Sequence, residues 1–391
     1  MTQHAKLSAS GASRWLACTP SVRLEENYEN TTSVYAEEGT FAHEYGELLL
    51  SLEYDYIKKR SFNTKLKKLK ENDHFNKELE EYVGIYANTV IEFVNELKVN
   101  CKNVVVFLEQ RVDFSTWVPG GFGTADVIVI ADGIMHIMDL KYGKGVLVTA
   151  KGNSQLKIYG LGAYSEFGFL YDIDKIKMTI IQPRLDNIST DEMTLEELLY
   201  WAEEEVKVKA EMAYNGEGEY ISGDHCRFCK AKNDCRKRAA DNIELAKKYD
   251  FADTDTLNEF EIADILCWAK DVTDWLKDIQ DFALKQAENK GIKYPGFKLV
   301  EGRSNRKYID ESKVAEVLKE NDFTEDAIYK PQALKGITDL EKTLGKKAFN
   351  ELLADMISKP EGKPTLVSIT DKRSEINSID KAKEDFANVE I

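Results

Sequence analysis

At 391 residues, with 43% hydrophobic and 31% charged residues, the chain is long enough for two or three domains with ample core. Its 53 Lys and Arg face 69 Asp and Glu, and the formal net charge of −16 argues against a protein that coats nucleic acid, because sequence-independent affinity comes from neutralising phosphates. No apolar run of about 18 residues appears, so no membrane partner is expected, and Met1-Thr-Gln-His-Ala-Lys-Leu7 has no targeting pattern, which makes the cytoplasm the expected location.

In chain order, residues 1–38 read as irregular to helical, and residues 39–100 as predominantly helical with a polar break near Asn72-Asp73. Gly39-Thr-Phe-Ala-His43 opens one of these helices, and His43 offers an imidazole among mostly non-ligating neighbours. The run Lys65-Leu-Lys-Lys-Leu-Lys70 reads as an exposed helix. Val104 to Val112 reads as a strand, on which Glu109 is either a further site residue or a plain strand-face carboxylate.

A hairpin follows. Val127 to Ala131 and Ile134 to Met138 are apolar and β-prone, and Asp132-Gly133 between them is a preferred pair for a type I′ turn. That turn sets Ala131 against Ile134 and brings Asp126 opposite Asp139, with Cβ atoms roughly 5 Å apart. Lys141, two residues on, shares the face of Asp139. Like charges directly across a ladder are destabilising, and a divalent cation removes the conflict. Two carboxylates converging on Mg²⁺ or Mn²⁺, beside a lysine that orients or deprotonates a water, suit phosphodiester cleavage. An ordinary acidic hairpin with a surface lysine is the other reading that this triplet leaves open.

Asn153-Ser-Gln155-Leu156-Lys-Ile-Tyr159 starts a helix running to Phe167, in which Gln155 and Tyr159, four apart, share a face. Lys175 to Gln182 reads as a buried strand, and residues 194–213 as a helix opened by the capping-box pattern Thr194-x-x-Glu197. Of six cysteines, Cys226, Cys229 and Cys235 cluster late in the chain, and Cys18 lies far upstream. In a reducing compartment such spacing has two readings, a zinc site or an iron-sulfur cluster, and His225 would complete a Cys₃His zinc set. Cys101, in an apolar run, and Cys267, beside Trp268, read as buried inert thiols. Arg227, Lys230, Lys232, Arg236, Lys237 and Arg238 interleave with the cysteines, and Lys298, Arg303, Arg306 and Lys307 form a second basic group. Each group is either a phosphate track or a solvated face. Residues 257–289 have long helical periodicity with Trp268 and Trp275 on one stripe, read as core.

Taken together, His43, Gly123-Thr-Ala-Asp126, Asp139-Leu-Lys141 and Gln155-x-x-x-Tyr159 resemble the motifs of the RecB-like branch of the PD-(D/E)xK nuclease superfamily. Cys18 with Cys226, Cys229 and Cys235 resembles the cysteine pattern of its AddB and CRISPR-associated members. The last third, including Gly362-Lys-Pro-Thr-Leu366 and Asp371-Lys-Arg373, resembles a family of uncharacterised proteins common in bacteriophage and prophage replication regions.

The resemblance implies an α/β fold: a restriction-endonuclease-like core with helical flanks over residues 1–245, and a mostly helical accessory region with a mobile tail over residues 246–391. It implies a 4Fe-4S cluster on Cys18, Cys226, Cys229 and Cys235 that closes the core, with zinc as the lesser alternative. Mg²⁺ or Mn²⁺ would sit on His43, Asp126 and Asp139. Lys141 would position or activate water, Gln155 would orient Lys141 or a phosphate, and Tyr159 would support the same face. Arg227, Lys230, Arg236 and Lys237 would contact DNA. The implied activity is a metal-dependent deoxyribonuclease, an exonuclease on single-stranded ends or tails, working in a bacterial host cell with phage replication or recombination proteins. The alternative is a non-catalytic iron-sulfur protein that binds DNA ends for recruitment. Asp139 departs from the Glu of many relatives, a shorter arm that shifts a metal without abolishing its site.

Overall fold

A computed structural model describes residues 5–29, 34–249 and 256–298. The chain divides into two compact units, residues 1–286 and 287–391, and the first contains every element that positions the candidate sites. Two short helices, α1 (Ala12–Ala17) and α2 (Ser21–Glu25), precede three longer ones, α3 (Val34–Glu53), α4 (Lys59–Lys70) and α5 (Lys77–Asn100). The sheet follows as β1 (Val105–Asp113), β2 (Phe122–Ala131) and β3 (Ile134–Leu140), then α6 (Ser154–Phe167), β4 (Lys175–Gln182) and β5 (Asn187–Thr194). Beyond it lie α7 (Leu195–Trp201), α8 (Lys207–Asn215), α9 (Arg236–Lys247) and α10 (Glu259–Lys290).

The five strands run in the order β1-β2-β3-β4-β5. Neighbouring strands are antiparallel except β3 and β4, which pair in parallel because α6 carries the chain back across the sheet. Helices cover both faces. On one side α1, α6, α7 and α8 pack on Ile128, Ile130, Met135, Ile137, Met178 and Ile180; on the other α3 and α5 pack on Val127, Val129, Met138, Leu140 and Ile181. Burial on both sides explains why Val127 to Ala131 is continuously apolar instead of alternating with polar residues.

The hairpin register is the one its turn dictates. Asp132 and Gly133 have φ of 51° and 76°, the left-handed pair of a type I′ turn, and pairing runs from Ala131 and Ile134 to Val127 and Met138. The ladder stops there, one residue short of Asp126 and Asp139. The capping box also forms: the Thr194 hydroxyl accepts from Glu197 N, and the Glu197 carboxylate accepts from Thr194 N.

Several expectations are corrected. The helix expected over residues 194–213 is interrupted by a π-helical turn at Ala202–Val206 and continues to Asn215. Strand β5 has no apolar signature, because as an edge it buries only Asn187 while Ile188, Thr190 and Glu192 face solvent. Cys101 belongs to no strand; it caps α5 and is half-buried, and Cys267 is exposed. Trp268 and Trp275 are half-buried, since α10 has no buried residue among those described. Arg303, Arg306, Lys307 and the motifs at residues 362–366 and 371–373 lie outside the described residues. No described helix is long and apolar enough to cross a membrane.

Candidate metal centre and cysteine pocket

Asp126 sits where the β2–β3 ladder ends, and its Oδ2 accepts a hydrogen bond from Leu140 N at 2.7 Å. From α3, His43 brings Nδ1 to 3.2 Å from the same oxygen. Glu109 arrives from β1. The pairs Leu108 with Val127 and Gln110 with Ala125 set it opposite Asp126, yet that pair itself is missing from the ladder, and Glu109 has φ of 43°. A left-handed conformation in a residue other than glycine costs on the order of 1–3 kcal/mol and persists only where the surroundings enforce it.

The side-chain alternation slips at this level. Val106, Leu108, Val127 and Val129 face α3 and α5, whereas Val112 and Ala125, which strict alternation would put beside them, join the opposite core. The slip gathers His43, Glu109 and Asp126 so that each offers one ligand atom within 4.8 Å of the others.

Asp139, only 2% exposed, lies on the α6 side. Its Oδ1 accepts from Gln155 Nε2 at 3.0 Å, and Gln155 Oε1 accepts from Lys141 Nζ at 2.8 Å, so one amide orients both partners. Lys141 Nζ stands 2.9 Å from Asp139 Oδ2 as an ion pair. The start of α6 is fixed by the Asn153 side chain, which accepts from Leu156 N and holds Gln155 in the first turn. One turn on, Tyr159 lies against Gly123, where an added Cβ would come within 2.9 Å of its ring.

Electrostatics mark the centre as short of positive charge. Burial opposes ionisation of Asp126, but His43 and the Leu140 N–H hold its carboxyl below the usual range. Burial alone would lower His43; the Asp126 carboxylate raises it to about 9. Glu109 is pushed up to about 8 by burial and then by Asp126, and burial likewise raises Asp139 against the pull of Lys141. Lys141 is raised, its desolvation outweighed by Asp139. Three acidic groups thus crowd one another beside two cationic ones. This donor set, one imidazole nitrogen and two carboxylate oxygens within 4.8 Å of one another, fits a divalent cation.

Glu109 and Tyr86 are the residues that sequence reasoning undervalued or missed. Tyr86 on α5 packs its ring so closely on α3 that a Cβ on Gly46 would lie 3.0 Å away, and burial, then Asp126, Glu109 and Asp139, drive its phenol well above the usual value. Its helix reads as ordinary core, so no sequence signal marks it.

The cysteines meet in a separate pocket. Cys18 at the end of α1, Cys226 and Cys229 in and after a tight turn, and Cys235 at the start of α9 line it together with His225. Distant segments are fastened around it: Thr19 Oγ1 donates to Glu217 O, and Lys230 N donates to Glu25 Oε1 at 2.7 Å. Burial pushes the Cys229 thiol up to about 11, and a metal-bound sulfur has to lose that proton.

The basic residues of this loop have acidic neighbours. Arg227 pairs with Asp274 at 3.4 Å, Lys232 and Arg238 with Asp278 at 2.6 and 2.8 Å, and Lys237 with Asp241 at 2.8 Å. Arg236 is exposed. The side chains of Arg227, Lys232 and Arg238 line a cleft of about 660 Å³ whose far wall is the acidic face of α10, with Asp271, Asp274 and Asp278.

A family model described as "Protein of unknown function (DUF2800)" matches residues 4–374. The chain belongs to this family. Among solved structures, the DUF2800 chain is similar to SSO0001, at 14% identity over 60% of this chain and 88% of that one, with a TM-score of 0.28. It is also similar to a protein from Eubacterium rectale that carries a provisional exonuclease name, at 13% identity over 59% of this chain and 88% of that one, with a TM-score of 0.31.

Proposed function

We propose that this protein is a divalent-metal-dependent deoxyribonuclease that hydrolyses phosphodiester bonds at single-stranded DNA ends or tails and serves phage replication or recombination. One observation carries the reading: the His43, Glu109 and Asp126 cluster and the Asp139, Lys141 and Gln155 network are both built around the end of one hairpin, and their charges act on one another.

His43, Asp126 and Asp139 would hold Mg²⁺ or Mn²⁺, with Glu109 within reach of the first two. When bound, a divalent cation supplies Lewis acidity toward a phosphoryl oxygen and lowers the pKa of a water. The protein's own groups do the rest. His43 must give up its proton to become a ligand, so acid opposes binding. Lys141, charged at neutral pH, orients water or a phosphate oxygen and offsets developing negative charge instead of acting as a base. Gln155 locks that ammonium in place, and Tyr159, packed on Gly123, holds the face of α6 from which Gln155 reaches.

The cysteine pocket belongs to the same reading. Cys18, Cys226, Cys229 and Cys235 would ligate a 4Fe-4S cluster that staples residues 18–25 to residues 217–235, a role supported by the meeting of all four at one place. The deciding experiment purifies the full chain without oxygen and incubates it with end-labelled single- and double-stranded DNA, with Mn²⁺ or with chelator. Cleavage that needs the cation and disappears in Asp139→Asn supports the proposal. Cleavage that survives chelator, or none in the native chain, overturns it.

A further inference from the structure

We propose that α4 is a docking surface for the phosphodiester backbone of single-stranded nucleic acid, which it leads toward the carboxylates behind α3; this rests on the nuclease reading above. In a chain of net charge −16, the twelve residues of α4 carry Lys59, Arg60, Lys65, Lys67, Lys68 and Lys70 and no acid. Phe62, Leu66 and Leu69 pack into the core with α3 and α5, so the helix is fixed and its cations face outward.

Intramolecular contacts do not account for those charges. Lys70 pairs with Glu80 at 3.3 Å, but among the described residues the other five have no carboxylate within ion-pair distance. Nor do they help the helix. Lys59 and Arg60 occupy its first turn, where the helix dipole repels cations, and Lys65 and Lys68, three apart, repel one another. A polyanion supplies what the fold does not.

The surface adjoins the candidate centre. Lys65 and Lys68 line a groove of about 200 Å³ with Glu44 and Glu47 of α3. Glu47 lies one turn past His43, and its charge acts on Glu109. The cations near the cysteines differ, since a phosphate reaching Arg227 or Lys237 has to displace Asp274 or Asp241.

The test changes Lys59, Lys65, Lys67 and Lys68 together to Gln in the full chain, which keeps a good helix former at each position. Anisotropy of labelled oligothymidine in chelator reads binding without turnover, and hydrolysis of a thymidine dinucleotide with Mn²⁺ reads the centre alone. The expected result is a Kd at least about tenfold weaker, a salt slope smaller by roughly 0.7 for each phosphate no longer neutralised, and unchanged dinucleotide hydrolysis. An unchanged Kd and salt slope overturn the proposal, as does a larger loss from Arg227→Gln with Lys237→Gln. Binding of the native chain to phosphatidylserine vesicles but not to oligothymidine also overturns it and assigns α4 to a lipid surface. If oligothymidine binding depends on α4 while the native chain hydrolyses neither substrate, the nuclease reading fails and the docking surface stands.

Discussion

Gln155 and Lys141 are joined through the amide oxygen at 2.8 Å, and the same amide's nitrogen is committed to Asp139 at 3.0 Å. Neither end of the amide is free to rotate away, so Gln155 sets where the ammonium points. Gln155→Ala is therefore expected to lower kcat by about ten- to a hundredfold with little change in KM, because the loss falls on orientation in the transition state. Steady-state cleavage of a labelled oligonucleotide checks this, and a change confined to KM would contradict it. Lys141→Ala should abolish turnover and leave Mn²⁺ binding by calorimetry intact, since a charged lysine is no ligand.

Asp126 and Asp139 answer to one cation in the proposed function, so their losses should not add. Either residue changed to Asn is expected to remove cleavage, and the double variant to be no worse. Two partial, multiplying losses would show separate roles.

The titrating groups of the centre give a pH test of the metal-free protein. His43 rises from 6.5 to about 9 on folding, so its stabilisation is full below pH 6.5 and is lost as pH climbs to about 9. Glu109 rises from 4.5 to about 8, so the fold favours its protonated form, and that contribution is also lost as pH climbs. Thermal stability in chelator should fall between pH 6.5 and 9. Saturating Mn²⁺, which replaces protons at these groups, should reduce the fall, and His43→Gln with Glu109→Gln should flatten it. A Tm constant across that window in the native chain would contradict the assignment.

Gly123 is required by its neighbour. A Cβ there lies 2.9 Å from Cε1 of Tyr159, so Gly123→Ala should destabilise by about 1–3 kcal/mol through overpacking and lower activity as α6 shifts. Adding Tyr159→Val should recover stability in a denaturant titration without recovering activity.

For the cysteine pocket, anaerobic protein should be brown, absorb near ~400 nm and contain about four irons per chain. One zinc and no iron would sink the cluster. Cys18→Ser should lower Tm, because it unfastens the N-terminal segment from the loop after Gly216.

The hairpin was legible because Asp132-Gly133 favours one turn type, and a turn of fixed length propagates its register to Val127 and Met138, the residues next to Asp126 and Asp139. Of the residues read from the sequence, His43 and Asp126 lie 3.2 Å apart and Asp139, Lys141 and Gln155 form a second network, while the cluster of ligand atoms around His43 and Asp126 takes Glu109 and not Asp139. Glu109 was ambiguous for a physical reason: strand alternation assigns faces only while it is regular, and here it slips. Strand β5 went unseen since an exposed edge needs no apolar residues. The pairing of the cysteine loop with α10 was invisible as well, because it joins cations near residue 230 to acids some turns into a distant helix, and nothing local records such a partner.

The bond from Leu140 N to Asp126 has a further meaning. A strand's last amide must find an acceptor or lose about 1–3 kcal/mol, and here that acceptor is the carboxylate proposed to ligate the cation. Asp126 therefore caps the end of β3 in addition to its proposed role at the cation. Asp126→Ala strips both roles at once, whereas Asp126→Asn keeps a carbonyl for the amide, and the gap between their melting points measures how much of the fold's edge is lent to chemistry. Under the proposed function position 126 answers to two independent demands, and a variant without cleavage would still need an oxygen there for the Leu140 amide.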